Sequence, residues 1–469
     1  MKTEIKFVLN NELITAEANP TMSLLDFLRN EKHLTGVKSV CREGDCGACS
    51  VLIGRLDDGE IKYQSITSCI YPLGNAAGKH IVTIEGLNQP GLNFIQYHFA
   101  EENAAQCGFC TPGYIISLTA FMLNNSGYSY EEAEKAVAGN VCRCTGYGSI
   151  KRALHNMTDE MSVSSEDFNQ RLKTLIDKKV IPEYFVAIPQ MLENIVHDKV
   201  DFEREIVIGG GTDLYVQKPD ELHALSPLFV EDSRLDYIKD SPDSIIIGGG
   251  TTFEEIADSE IINKFFPSFK NDSVLIASKL IRNVATLAGN IVNASPIGDM
   301  TIIFLALNAE LKLKINETER IVPIRNFYLG YKNIDKEPME IIEEIIIPKP
   351  SGNTKFNFEK VSKRTHLDIA SVNSSILIET NNETIVNAGI SAGGVAPVPK
   401  YLEKTSAFLI GKEVSNEIVL TASESAMDEI TPIDDVRGSA EYKKLLLGQL
   451  IKAHFAELFP EKINIGELL

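Results

Sequence analysis

A chain of 469 residues is too long for a single hydrophobic core, and its length favours about three domains. Its formal net charge of −20 argues against nucleic acid as a partner, because neutralising phosphates requires clustered Lys and Arg. The sequence has no uninterrupted apolar run of about 18 residues, the length a membrane-spanning helix needs, so we expect no membrane partner.

The placement of the eight cysteines is the sharpest compositional signal, because all of them fall between Cys41 and Cys144. The first ten residues alternate like a strand and lack the apolar core of a secretory signal. Clustered thiols in a long chain without such a signal fit metal ligation in a reducing compartment better than disulfides. We therefore predict a cytoplasmic protein.

The first predicted domain, residues 1–88, contains a hairpin over 3–18, a helix over 21–30 and a closing strand over 81–85. Between them stands Cys-Arg-Glu-Gly-Asp-Cys-Gly-Ala-Cys at 41–49, in the C-x4-C-x2-C spacing of plant-type [2Fe–2S] ferredoxins. Structural zinc is the alternative, but zinc loops usually come as paired C-x2-4-C knuckles. We predict a β-grasp ferredoxin domain with Cys41, Cys46, Cys49 and Cys69 as ligands.

The second predicted domain, residues 89–158, has four short helical segments over 92–100, 113–123, 130–138 and 149–157. Cys107 and Cys110 lie in one break between them, and Cys142 and Cys144 lie in another. A lone C-x2-C also fits a thioredoxin-like redox pair. Because a second pair follows, four thiolates from two loops of a helical bundle can hold a second [2Fe–2S] cluster.

Residues 159–180 are polar and predict a linker, after which a mixed α/β domain is expected over 181–350. There, Ile-Val-Ile-Gly-Gly-Gly-Thr-Asp-Leu at 206–214 combines a β-branched strand with three glycines, which suits backbone amides approaching an anion. The near repeat at 245–252 leaves a simple strand-ending turn open. Neither stretch fits G-x-G-x-x-G, so a Rossmann site is not supported.

A final unit is expected over 351–469. It should begin with strands over 356–361 and 369–378, continue through the glycine-rich stretch 388–396, and be helical from 416 to 458. The histidines are scattered and show no paired helical spacing, so each is interpreted as a core or surface residue.

In this order the motifs resemble the xanthine dehydrogenase family, and specifically the small iron–sulfur and flavin subunit of its two-subunit bacterial form. The resemblance rests on the cysteine motifs, on Ala-Thr-Leu-Ala-Gly-Asn at 285–290, on Ser-Lys-Arg at 362–364 with Asp-Ile-Ala at 368–370, and on Asp-Val-Arg-Gly-Ser-Ala-Glu-Tyr at 435–442. It implies a multidomain α+β fold with a ferredoxin domain, a four-helix [2Fe–2S] domain, an FAD-binding domain and a C-terminal flavoprotein subdomain.

The resemblance also implies the residues that hold FAD. They are Val207, Ile208, Gly209, Gly210, Gly211, Thr212, Asp213, Leu214, Ile276, Thr286, Leu287, Ala288, Gly289, Asn290 and Asp299. Relatives often carry an aromatic residue at the position of Ile276, and Ser-x-Gly-Gly-Asn at 286–290. Thr keeps the hydroxyl and Ala keeps the small size, which is compatible with FAD.

The implied function is electron transfer for a xanthine dehydrogenase, which converts hypoxanthine to xanthine and urate. The molybdopterin site belongs to a large partner subunit, in a heterotetramer of two small and two large chains, so no catalytic residue is expected here. Electrons would pass through two [2Fe–2S] clusters to FAD and then to NAD+, because flavin joins one-electron and hydride chemistry. The alternatives are a molybdenum hydroxylase for aldehydes or N-heterocycles, and a stand-alone flavin and ferredoxin-type reductase.

Overall fold

The computed structural model describes residues 2–57, 59–161, 165–195 and 205–468, which form two compact units. The first unit takes in Met1–Phe229 together with the short segment Ser278–Val284. The second takes in Val230–Ala277 and Ala285–Leu469. Residues 181–350, expected as one flavin domain, thus contribute to both units. No helix among the described residues is long and apolar enough to cross a membrane.

The first unit begins with a five-stranded mixed sheet whose strands, in chain order, are Thr3–Leu9, Glu12–Ala18, Ser50–Asp57, Glu60–Thr67 and His80–Val82. Their order across the sheet is second, first, fifth, third, fourth. The first and fifth strands run parallel, with Val8 opposite His80, and the other neighbouring pairs are antiparallel. Ile5, Phe7 and Leu9 alternate into one core. This is the predicted β-grasp arrangement.

The helix that packs on this sheet is shorter and more irregular than the sequence predicts. A single α-helical turn, Leu24–Asp26, continues as a wider turn, Phe27–Glu31. The Ser23 side chain accepts a hydrogen bond from the Asp26 backbone N–H at 3.1 Å, as expected of an N-cap.

Four helices follow, at Phe94–Glu101, Thr111–Asn124, Tyr130–Ala136 and Gly148–Glu160. They lie within a few residues of the four predicted segments. The second helix is buried along nearly its whole length, from Gly113 to Leu123, so the others pack around it. The two cysteine pairs occupy the turns before the second and fourth helices.

The prediction of a polar linker over 159–180 is wrong for the part that the structure describes; residues 162–164 lie outside it. Phe168–Asp177 is a helix, and its residues Phe168, Leu172 and Leu175 are buried in the core of the helical region. These apolar residues recur at spacings of about one helical turn, which makes a narrow stripe that the surrounding polar residues obscure. The chain then continues through the turn Glu183–Ala187 and the helix Ile188–Glu193.

The rest of the first unit is a small region built on the parallel strands Ile206–Ile208 and Pro227–Phe229. The helices Leu214–Gln217 and Pro219–Leu222 lie between them in the chain, and the later helix Lys279–Arg282 returns to this unit. Ile208, Phe229 and Val284 are buried in the same core as the ferredoxin sheet.

The second unit contains a five-stranded sheet in the order Thr318–Pro323, Glu310–Ile315, Ile341–Pro348, Ser244–Gly248, Ile238–Asp240. Two short strands, Tyr328–Gly330 and Asn333–Ile334, pair separately. The helices of this part are Phe253–Asp258, Glu260–Phe265, Phe269–Asp272, Leu287–Asn293, Asp299–Ala306 and Ile324–Phe327.

The C-terminal part of the second unit is a four-stranded antiparallel sheet of Thr354–Val361, Val372–Asn381, Thr384–Gly393 and Lys400–Tyr401. Its helices are Glu403–Leu409, Asn416–Asp428, Ala440–Leu458 and Ile465–Leu468. The single helical stretch expected over 416–458 is wrong, because residues 429–439 interrupt it. Pro432 lacks a backbone donor, Gly438 has φ 152°, and the Ser439 side chain caps a new helix.

Candidate functional site

The first cysteine quartet is formed by the loop 41–49 and by Cys69, which lies in the short helical turn Ser68–Ile70 after the strand Glu60–Thr67. Gly44 and Gly47 take left-handed φ values of 79° and 64°, which lets the loop turn sharply. Cys49 and Cys69 are buried, and Cys41 and Cys46 are half-buried. All four predicted ligands of the first cluster are therefore brought together.

The sulfur atoms of this quartet form a chain of contacts in which Cys41 contacts Cys46 and Cys69, and Cys69 also contacts Cys49. Contact with Cys46 lowers the pKa of Cys41, and contact with Cys41 raises the pKa of Cys46. In the same way, contact with Cys69 lowers the pKa of Cys49. Contact with Cys41, and next with Cys49, raises the pKa of Cys69. Each sulfur of the quartet thus lies in contact with at least one other.

Backbone donors also point at these sulfurs. The N–H of Glu43 donates to Cys41 Sγ at 3.4 Å, and backbone donors at Ala48 and Gly44 hydrogen-bond Cys46 and Cys69. Arg42, in a left-handed conformation beside Cys41, is fixed by hydrogen bonds of 2.6 and 3.1 Å to the Asp26 carboxylate. Hydrogen bonds to cysteine sulfur and nearby positive charge are the features that tune iron–sulfur clusters.

The second quartet joins the turns before Thr111–Asn124 and Gly148–Glu160. Cys107 Sγ and Cys144 Sγ lie 3.5 Å apart, and Cys110 contacts Cys142. Burial first, and then Cys142, raises the pKa of Cys110 to about 12. Burial opposes ionisation of Cys142, but the Thr145 hydroxyl at 3.2 Å and backbone donors outweigh it and lower its pKa. All four predicted ligands of the second cluster are again brought together.

The two quartets differ in exposure. Cys107 and Cys144 are exposed, whereas Cys49 and Cys69 of the first quartet are buried. Phe109 and Tyr147, 44% and 39% exposed, stand beside the second quartet in sequence. The second quartet therefore forms part of the surface of its unit.

The donor chemistry of both quartets fits binuclear clusters. Each quartet offers four thiols that lie in contact with one another, and two irons bridged by sulfides take two thiolates each. Among the described residues, no three His, Cys, Asp or Glu side chains are grouped tightly enough for one metal ion. The number and type of donors in each quartet, four thiols, fit a two-iron cluster.

The glycine segment 207–214 belongs to the first unit. Gly211 has φ 77°, and the strand Ile206–Ile208 ends directly before the glycines. A Cβ atom at Gly210 would lie 1.9 Å from the carbonyl oxygen of Val284, so this glycine is required by protein packing. Thr212 and Leu214 are half-buried and Asp213 is exposed, which leaves the end of the segment accessible.

The remaining FAD candidates belong to the second unit. The Thr286 hydroxyl caps the helix Leu287–Asn293 by accepting from the Gly289 N–H at 3.2 Å. Asn290 Oδ1 accepts from the backbone N–H and the hydroxyl of Thr301, both at 3.1 Å. Ile276 is buried. Thr286 and Asn290 thus both form hydrogen bonds that stabilise the fold, in addition to any contact with a cofactor.

Asp299 is held by a buried lysine that the sequence reasoning missed. Lys360 Nζ donates to Asp299 Oδ2 at 2.7 Å and to the Leu275 carbonyl at 2.8 Å, and its side chain is only 2% exposed. Asn373 Nδ2 donates to Asp299 Oδ1 at 2.5 Å. Lys360 thereby links the backbone carbonyl of Leu275, the residue before Ile276, to the carboxylate of Asp299. The alternating strand Thr354–Val361 gave no local signal for this contact.

Comparison with known families assigns four consecutive domains. The model for a 2Fe-2S iron-sulfur cluster binding domain matches residues 7–73, and that for a [2Fe-2S] binding domain matches 83–155. The FAD binding domain in molybdopterin dehydrogenase matches residues 180–350, and the CO dehydrogenase flavoprotein C-terminal domain matches 358–458.

Individual relatives agree with this assignment. The xanthine dehydrogenase of Emericella nidulans is 28% identical, over 91% of this chain and 36% of the relative. Aldehyde oxidase 4 of Cavia porcellus is 24% identical, over 95% of this chain and 38% of the relative. This chain therefore spans less than two fifths of the length of these relatives.

A solved structure shows the same fold. The carbon monoxide dehydrogenase from Hydrogenophaga pseudoflava, in a form that lacks the Mo-pyranopterin moiety of the molybdenum cofactor, matches with a TM-score of 0.52 at 25% identity. The match covers 55% of this chain and 90% of that chain. With two cysteine quartets followed by the flavin domains in this order, the chain carries two [2Fe–2S] domains and an FAD-binding domain of the kind found in molybdopterin dehydrogenases.

Proposed function

We propose that this chain is the electron-transfer subunit of a xanthine dehydrogenase. It would take electrons from a molybdopterin centre on a large partner subunit, which oxidises hypoxanthine and xanthine to urate, and deliver them through FAD to NAD+. The observation that carries the proposal is the presence of two complete cysteine quartets in one compact unit of a chain with an FAD-binding domain. The relatives hold the matched region within a longer chain, and we place the remainder on the partner.

Two separate sets of cysteines would hold the two clusters. Cys41, Cys46, Cys49 and Cys69 would hold one cluster, and Cys107, Cys110, Cys142 and Cys144 the other. When bound, the clusters supply one-electron transfer and the flavin joins it to hydride transfer. The backbone donors at Glu43, Gly44 and Ala48 stabilise thiolate charge within the first quartet.

The exposure of the cysteine thiols supports an assignment of which quartet faces the partner subunit. The exposed thiols Cys107 and Cys144 put the second quartet at the surface, where a partner can approach it. The first quartet has no exposed thiol, since Cys49 and Cys69 are buried and Cys41 and Cys46 are half-buried. We therefore assign the second quartet to the partner-facing end.

The proposed flavin ligands are those that the family resemblance implies. Residues 207–214 would contribute a strand end and a glycine backbone, with the half-buried Thr212 hydroxyl as a proposed donor to a phosphate. Ile276, residues 286–290 and Asp299 would hold the rest of the cofactor, with Asp299 positioned by Lys360 and Asn373. NAD+ is the proposed final acceptor.

A second candidate keeps the same electron route but changes the substrate. The similarity to an aldehyde oxidase, at nearly the same identity and coverage as to a xanthine dehydrogenase, favours an aldehyde hydroxylase as the runner-up. Since the substrate pocket would lie on the partner, the residues of this chain do not discriminate between the two.

Co-purification with an affinity-tagged chain from its native source tests the proposal. We expect a large molybdenum-containing chain to come with it in equal amount. The complex should reduce NAD+ with hypoxanthine or xanthine and not with benzaldehyde. Aldehyde-dependent reduction alone would favour the runner-up, and recovery of the chain without any molybdenum-containing partner would refute the subunit assignment.

A further inference from the structure

The two cysteine loops of the first unit are joined directly by hydrogen bonds. The backbone N–H of Val141 donates to the carbonyl oxygen of Cys46 at 3.1 Å. Beside it, Asn140 Nδ2 donates to the carbonyl oxygen of Gly47, also at 3.1 Å. Cys46 belongs to the first quartet, and Val141 directly precedes Cys142 of the second. A single backbone hydrogen bond therefore connects Cys46, a member of the first quartet, to Val141, the residue next to Cys142 of the second quartet.

Asn140 is fixed from its other side by the central helix Thr111–Asn124. The Ser117 hydroxyl donates to Asn140 Oδ1 at 2.8 Å, and the Tyr114 hydroxyl donates to the Asn140 backbone carbonyl at 2.5 Å. Asn140 is only 4% exposed. Because a buried amide must find partners for both its oxygen and its nitrogen, this side chain holds the first loop at a set distance from the helix.

Two glycines make this close approach possible. A Cβ atom on Gly47 would lie 2.5 Å from both Asn140 Nδ2 and the Gly139 carbonyl oxygen. A Cβ atom on Gly113 would lie 2.3 Å from the Gly47 carbonyl oxygen. The loops and the start of the helix therefore meet backbone to backbone, and Asn140 occupies the junction.

We propose that Asn140 is a positioning residue for electron transfer between the two clusters. It holds the two loops in register and so would fix the separation of the two clusters, on which the rate of electron transfer between them would depend. With both clusters bound, one would lose one electron and the other would gain it, and no proton would move. The inference rests on the proposed function, because it needs both quartets to carry clusters.

Asn140→Asp is the variant that tests it. The substitution keeps the shape and the oxygen that accepts from Ser117, but it replaces the donor to Gly47 by an oxygen that repels that carbonyl. We expect both clusters to be retained and the loops to separate. The magnetic interaction that splits the signals of the two reduced clusters in electron paramagnetic resonance spectra should then be lost, and the rate of electron transfer between the clusters should fall.

Asn125→Asp is the matched control, because Asn125 directly follows the same helix and its Nδ2 donates to the Phe121 carbonyl oxygen of that helix at 2.6 Å. We expect its splitting and transfer rate to equal those of the parent. Asn140→Leu, which removes both hydrogen bonds without adding charge, should reproduce Asn140→Asp. The proposal is overturned if both Asn140 variants keep the parent's splitting and rate, or if both simply lose a cluster.

The same measurements distinguish this inference from the function beneath it. A parent chain that contains two clusters with split signals supports the proposed function, whatever the variants do. A parent chain prepared without air that contains fewer than two clusters would refute the proposed function and, with it, the inference.

Discussion

The Sγ atoms of Cys107 and Cys144 lie 3.5 Å apart at an exposed position, although the two residues are 37 positions apart in the chain. This contact closes the second quartet from two separate turns, and it leaves one side of that quartet open to solvent. In the first quartet no thiol is exposed, because Cys49 and Cys69 are buried and Cys41 and Cys46 are half-buried. The two quartets therefore lie in different surroundings, and each can be removed and measured separately.

Cys144→Ser should therefore remove one cluster and spare the other. We expect iron and acid-labile sulfide to fall from about four to about two per chain, since each binuclear cluster contains two irons. The signal of the ferredoxin-type cluster should persist, because its ligands lie in a different loop. Metal analysis and paramagnetic resonance of the reduced protein measure both effects. Zinc in place of iron, or loss of both signals together, would contradict separate binuclear sites.

Thr212→Val should weaken FAD binding without disturbing the clusters. The substitution keeps the shape of a half-buried residue and removes only a hydroxyl, so the expected loss is about 1 kcal/mol, or roughly fivefold in the dissociation constant of FAD. Thr174→Val is the control, since the Thr174 hydroxyl donates to the Gln170 carbonyl of its own exposed helix turn. Titration of flavin-free protein with FAD measures the constant. Unchanged affinity in Thr212→Val would exclude the hydroxyl from the flavin site.

Local patterns predicted the parts of the fold that are built from near neighbours in the chain. The strand alternation of Ile5, Phe7 and Leu9 and the cap at Ser23 are confirmed, as are four helices around the cysteine pairs. The cysteine spacings reflect the geometry of one loop or turn at a time. These features depend on a few residues each, which is why a single sequence reveals them.

Contacts between distant segments could not be predicted in this way. The helix Phe168–Asp177 was missed because its buried stripe is narrow within a polar stretch. The role of Gly210 in the flavin site stays a prediction, and its close packing against the carbonyl of Val284 could not be predicted from its neighbours in the chain. Asn140 and Lys360 contact residues far away in the chain, and nothing in their sequence neighbourhood specifies those partners.

The stability of the second unit should respond to pH through two opposing groups. Burial lowers the pKa of His454 to about 3, whereas burial raises the pKa of Asp272 to about 7. The histidine stabilises the unit above pH 6.5, its unfolded value, and loses that contribution as the pH falls towards 3. The aspartate stabilises the unit below its unfolded value of 3.8 and loses that contribution as the pH rises towards 7. Between about pH 4 and 6.5 the two slopes oppose each other.

Single substitutions should expose each slope. In Asp272→Asn, the free energy of unfolding should fall with decreasing pH by up to about 1.4 kcal/mol per pH unit, because only the histidine remains. In His454→Met the free energy of unfolding should instead rise with decreasing pH, because only the aspartate remains. The substitution removes the contact between His454 Nδ1 and Asn357 Nδ2, but Asn357 Nδ2 keeps its hydrogen bond to Glu359 at 3.0 Å. Hydrogen exchange of the strands Val372–Asn381 and Thr384–Gly393 in urea reports this unit. Equal slopes in the two variants would contradict the assignment.

The chain by itself should transfer electrons among its cofactors but should not be able to take electrons from a purine. We expect it to oxidise NADH with an artificial electron acceptor, since flavin exchanges hydride with nicotinamide, but not to hydroxylate xanthine or hypoxanthine. Addition of the large subunit should restore purine-dependent NAD+ reduction. Removal of FAD from that complex should abolish NAD+ reduction and leave purine oxidation with an acceptor that draws electrons before the flavin. NAD+ reduction that survives the removal of FAD would place hydride transfer elsewhere, and purine hydroxylation by this chain alone would refute its assignment as an electron-transfer subunit.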